Sequence, residues 1–167
     1  LNFADKTFLV PFGDSPEYIS VMREYCRANK IDFIIPASDT ELIPLSANKK
    51  DFESFNCKIL VSDLDSLEII LDKSSLYSYC AKSLSLKNVV PAYETCNNLD
   101  SFKNSYKNLS SYGTLCVKPA KSNGSRGFRV IKPLETVHSF FYEKPSSRNI
   151  TYENLCEVLS ESKNSFP

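Results

Sequence analysis

Charge of one sign is not in excess in this sequence, glycine and histidine are scarce, and no apolar run is long. Twenty Lys plus Arg match twenty Asp plus Glu, so nothing in the overall charge draws the chain to nucleic acid, an anionic membrane or an acidic substrate. Any anion site has to be local. No apolar stretch approaches the roughly 18 residues of a membrane span, and no charged-then-apolar leader opens the chain. Only four glycines occur, and they form neither G-x-x-x-x-G-K-[ST] nor G-x-G-x-x-G, which disfavours a Walker loop and a nucleotide-sugar or dinucleotide-binding domain. Cysteine is present but C-x-x-C is not. Cys26, Cys57, Cys80, Cys96, Cys116 and Cys156 stand singly, most inside apolar runs, a pattern of buried free thiols in a reducing cytoplasm rather than of a zinc site or disulfide framework. The one histidine, His138, lies in an aromatic helical run with Phe140, Phe141 and Tyr142 and reads as core packing.

What is present suffices for one good core or two small ones: 42% of the residues are hydrophobic and 24% charged. Residues 8–11 read as a short strand. Asp14, Pro16 and Glu17 supply helix-start chemistry, and from Tyr18 the residues Ile19, Met22 and Cys26 recur at helical spacing until Asn29. Residues 31–37 (IDFIIPA) form a continuous apolar run, the pattern of a strand buried on both faces of a parallel sheet. A helix over 42–55 and a strand over 57–61 follow, so the first 61 residues alternate strand and helix as an open α/β sheet requires. From Ser62 the order changes to helices over 64–71 and 74–84, an extended stretch over 88–95 and a helix over 99–109. Strands over 113–120 and 128–132 then flank a polar tip as an antiparallel hairpin, and helices over 134–142 and 152–160, the latter capped by Thr151, complete the chain. The expected division is 1–63 and 64–167.

Chemistry concentrates in Val117-Lys118-Pro119-Ala120-Lys121-Ser122-Asn123-Gly124-Ser125-Arg126-Gly127-Phe128. A lysine at a strand end followed by small polar residues can offer charge and backbone N–H groups to phosphate oxygens, although such a tip by itself is most often a plain turn. Upstream, Asp72-Lys73 opens a helix, and an extended Val89-Val90-Pro91-Ala92 follows it. This order, D-K at a helix start, helix, V-x-x-P-like stretch, helix, then V-K-P-x-x-x-x-G-S-R-G, resembles the first half of the ATP-grasp nucleotide-binding fold. The group it most resembles is the enzymes similar to the large subunit of carbamoyl-phosphate synthase, including carboxylate-amine ligases, and residues 31–45 read like the domain that precedes that fold there. The resemblance covers residues 5–132.

The resemblance implies a pre-ATP-grasp α/β domain over 1–63, lacking its first strand and helix, and a first ATP-grasp subdomain over 64–167. It implies that ATP activates a carboxylate as an acyl phosphate for attack by an amine, with Mg2+ assisting, and that this chain supplies part of the phosphate site. Lys118 and Lys73 would contact the phosphates, Ser122 would belong to the same nucleotide site, and Asn123, Gly124, Ser125, Arg126 and Gly127 would form a flexible lid. The metal-binding carboxylates and the adenine-binding linker are expected beyond Pro167, so no metal ligand and no catalytic residue is assigned within the chain. Asp39 and Glu41, after the end of a parallel strand, could orient an amine-bearing substrate, pack against a further domain, or simply complement a helix dipole. Glu153, Glu157 and Glu161 repeat on one helix face and read as solvated. The carboxylate and amine substrates are not specified, a homodimer stays open, and the competing reading is a non-catalytic α/β binding or interaction module.

Overall fold

A computed structural model describes residues 4–122, 124, 126–133 and 146–162. The helix expected over 134–142, with His138, and the loop residues Asn123 and Ser125 lie outside the described residues. The chain forms two compact units, Leu1–Ile70 and Leu71–Pro167. The division falls later than the expected 63/64, because the helix over 64–70 packs with the helix over 39–47 in the first unit.

In the first unit, α1 (Tyr18–Asn29) follows the expected periodicity. Its start differs from expectation: Asp14 and Pro16 lie in the preceding turn, and Glu17 occupies the cap position without a side-chain cap bond. Lys30 ends the helix in the left-handed conformation, φ 52°, which lets the Ile31 N–H reach the Cys26 carbonyl at 3.0 Å and turns the chain into β1 (Phe33–Ile34). Next come α2 (Asp39–Ala47), α3 (Lys49–Glu53), β2 (Lys58–Ile59) and α4 (Leu64–Ile70). The helix expected over 42–55 is thus two helices, broken at Asn48, and Pro44 falls inside the first of them.

β1 and β2 pair in parallel, Phe33 opposite Lys58 and Ile34 opposite Ile59. The core lies on one face of this pair: Ile34 and Ile59 join Tyr18, Cys26, Leu45, Phe52 and Cys57. Two expectations are corrected here. Residues 8–11 form no strand, and Leu9 is 94% exposed while Phe8 stacks on Tyr25 with ring centroids 4.0 Å apart. The 31–37 run is buried on one face only, since Phe33 and Ile35 are exposed. The core packs against the Ile34 and Ile59 side of the pair, and among the described residues the Phe33 side is left exposed. A shallow concavity of about 380 Å³ lies beside β2, lined by residues that include Phe33, Lys58 and Leu60.

The second unit begins with α5 (Lys73–Lys82) and a 3-10 turn over Lys87–Val89, at the start of the stretch expected to be extended. It continues through α6 (Leu99–Leu109), β3 (Leu115–Val117), β4 (Arg129–Ile131), β5 (Asn149–Ile150) and α7 (Tyr152–Ser160). β3 and β4 pair antiparallel, Cys116 opposite Val130, as the hairpin reading requires. β5 adds in parallel to β4, a strand the sequence reading missed. Phe102 of α6, Ile131 of β4 and Leu155 and Leu159 of α7 make the core. The opposite face of α7 carries Glu153 and Glu157, with Glu161 just beyond, all exposed, so these acids are a solvated face.

The described chain is therefore a mixed α/β protein with two small sheets. None of its described helices is long and apolar enough to cross a membrane.

Candidate functional site

Asp72 fixes the start of α5. Its carboxylate accepts from the backbone N–H groups of Ser74 at 2.9 Å and Ser75 at 3.1 Å and from the Ser74 hydroxyl, the capping geometry that satisfies otherwise orphaned donors. The Ser74 hydroxyl first, and then the Ser75 amide, hold this carboxyl below the usual aspartate range.

Lys73 is thereby the first residue of the helix, and it is fastened to the hairpin by both backbone and side chain. Its N–H donates to the Ala120 carbonyl at 2.9 Å. Its Nζ donates to the Ser122 carbonyl at 3.0 Å, to Ser122 Oγ at 3.1 Å and to the Ala120 carbonyl at 3.4 Å. An ammonium has three hydrogens, and each has an acceptor at the base of the hairpin tip. One turn along α5, Tyr77 accepts a hydrogen bond from Lys118 Nζ at 3.2 Å. The i, i+4 spacing places Lys73 and Tyr77 on one helix face, about 6 Å apart along the axis. Both ammonium groups therefore lie along the same face of α5.

The loop has its own constraints. Gly127 has φ +76°, and a Cβ there would stand 2.6 Å from Pro119 Cγ, so the two arms of the hairpin close on each other only with glycine at that position. Gly124, at φ +57°, faces open space, and Arg126 is exposed. Lys121 reaches toward Asp72 Oδ2, 4.0 Å off, with its side chain 79% exposed. Of the expected site residues, Lys73 and Ser122 are in direct contact, and Lys118 meets the same helix one turn along at Tyr77. Tyr77 is the member that sequence reasoning missed, although its spacing from Lys73 was a usable signal.

Asp39 and Glu41 occupy the first turn of α2. Glu41 Oε2 accepts from the Ala37 N–H at 3.2 Å, which places it in the helix-start role rather than in an open site. Gly13 lies against this turn: a Cβ there would come within 2.7 Å of the Thr40 carbonyl.

An exposed lysine at a strand end beside a loop with two positive-φ glycines can offer charge and backbone N–H groups to an anion, while the Lys73 ammonium is engaged at the base of the loop. The described residues do not fit magnesium. Among them no three His, Cys, Asp or Glu side chains gather in a way that could hold a metal ion, and Asp72 already serves α5. No curated protein matches the chain. Residues 1–60, upstream of both lysines, match the family model described as PylC-like, N-terminal domain, a family of the ATP-grasp and carboxylate-amine ligase class.

Proposed function

We propose that this chain is part of an ATP-dependent ligase that activates a carboxylate as an acyl phosphate for attack by an amine, and that its second unit supplies part of the ATP phosphate site. The observation that carries the reading is the placement of Lys118 and Lys73 along one face of α5, downstream of a segment matching a carboxylate-amine ligase family. ATP as co-substrate would supply the phosphoryl group. Lys118, exposed at the end of β3, offers hydrogen-bond donors and charge to the phosphate oxygens, where fixed cations stabilise charge on a transferred phosphoryl group. Lys73 adds positive charge at the hairpin base while holding Ser122. Gly124, Arg126 and Gly127, together with Asn123 and Ser125, are proposed as the loop that covers the phosphates.

On this reading the first unit corresponds to the pre-ATP-grasp domain and the second to the first ATP-grasp subdomain, with the boundary moved to Ile70/Leu71. The group similar to the carbamoyl-phosphate synthase large subunit remains the proposed subgroup, in the cytoplasm, with magnesium bound outside the described residues.

The test is ADP release by the intact protein across a panel of carboxylates and amines, with hydroxylamine added to trap acyl phosphate as hydroxamate. Carboxylate-dependent ADP release with hydroxamate formation is expected. MgATP binding without either product, or no binding at all, would favour the non-catalytic module.

A further inference from the structure

Lys118 presents a problem that its position alone does not solve. It is exposed at the end of a strand of three residues, and a lysine side chain free in solvent samples many rotamers that a bound anion would have to suppress. Two aromatic residues of the same unit bear on it. Tyr77 Oη lies 3.2 Å from Lys118 Nζ, and the ammonium also stands 5.8 Å from the centre of the Tyr77 ring. Tyr77 is itself held: its ring meets Tyr93 edge-on, centroids 5.0 Å apart at 64°, and its backbone belongs to the helix that Asp72 caps. Tyr93 comes from the irregular stretch after the 3-10 turn, so two separate segments brace the phenol against the strand end.

We propose that Tyr77 is a positioning residue for Lys118, orienting the ammonium for an anionic polyphosphate through the hydrogen bond to its phenol oxygen. This rests on the phosphate reading of Lys118 given above. The contact is attractive for the ammonium through the phenol oxygen, which accepts its hydrogen bond at the ring edge. Tyr77 thus narrows the rotamers of Lys118 without neutralising it, as a carboxylate partner would. Asp72, the acid of this neighbourhood, is directed instead to the α5 amides and lies toward Lys121. The charge of Lys118 therefore stays available to an incoming ligand.

The experiment is a double-mutant cycle on the intact protein, titrated calorimetrically with MgATP and, separately, with magnesium tripolyphosphate. Tyr77→Phe keeps the ring against Tyr93 and removes only the hydroxyl. It is expected to weaken both ligands by about 3- to 10-fold, the range of one hydrogen bond. In a Lys118→Met background the same change is expected to have no further effect, with thermal unfolding midpoints unchanged throughout. Tyr93→Leu, which loosens the brace, is expected to weaken binding in the Lys118 protein and not in the Lys118→Met protein. If Lys118→Met weakens binding while Tyr77→Phe and Tyr93→Leu do nothing, or act equally in both backgrounds, the positioning role is wrong and the phosphate reading stands. If Lys118→Met itself leaves both affinities unchanged, the phosphate reading fails and the role of Tyr77 with it.

Discussion

Cys26 and Cys57 are buried side by side in the first core, and burial decides their chemistry. Desolvation, reinforced by the neighbouring Cys57, pushes the Cys26 thiol up to about 12, and Cys57 is shifted in the same direction, chiefly by desolvation. The thiolate is the reactive form. Cys116, on β3, is exposed. Iodoacetamide at pH 8 is therefore expected to label Cys116 in the folded protein and to leave Cys26 and Cys57 unlabelled until denaturant is added, as peptide mass spectrometry would show; early labelling of Cys26 would contradict the packing. Residue-scale packing has a second consequence at Phe52, a residue of α3 that is fully buried in the first core. Phe52→Ala leaves a cavity that neighbouring side chains cannot fill, and is expected to cost about 3–5 kcal/mol in urea unfolding. A loss below 1 kcal/mol would mean that this core is far looser than its burial indicates.

At the scale of elements, α5 depends on Asp72. Removing the cap with Asp72→Ala is expected to cost about 1 kcal/mol, whereas Asp72→Asn keeps a neutral acceptor and should cost less. Because the folded carboxyl is held below the ordinary value of 3.8 by Ser74 and Ser75, its contribution is fully present above that value. It is lost as pH falls through the folded pKa. Stability measured from pH 6 down to pH 2.5 should therefore fall more steeply for the parent protein than for Asp72→Asn, and parallel curves would exclude the carboxylate as the source. The helices were the legible elements: 18–29, 64–70, 99–109 and 152–160 follow from periodicity and caps, because capping and amphipathic spacing are local. The hairpin of β3 and β4 was legible for the same reason. Residues 8–11 and 31–37 were not, since an apolar run does not disclose which of its faces other elements will cover. β5 could not be read either: two residues, Asn149 and Ile150, gain strand form only by pairing with β4, a long-range event. In the site, Lys73, Lys118 and Ser122 carried a motif signal, whereas Tyr77 carried only a spacing whose meaning depends on where β3 ends.

For the molecule as a whole, alkaline pH bears on both units: desolvation raises Tyr152 in the second, and the larger shifts lie in the first. Tyr18 is pushed up to about 12, by desolvation first and then by Glu41, from an ordinary value of 10.0, and Cys26 rises to about 12 from 9.0. Both neutral forms are favoured by the fold, so their contribution is intact below pH 9 and declines as pH rises toward about 12. Urea midpoints should fall across that window, and the decline should flatten in a Tyr18→Phe, Cys26→Ala protein. The functional account rests elsewhere, on Lys118. The most direct measurement is calorimetric titration of MgATP into the intact protein and its Lys118→Ala and Lys121→Ala variants. Lys118 stands at the strand end against Tyr77, whereas Lys121 is largely exposed and lies toward Asp72. The account predicts that Lys118→Ala loses one charge-assisted phosphate contact, about 1.5–3 kcal/mol of binding, and that Lys121→Ala loses little. Equal affinities for the two variants would contradict it.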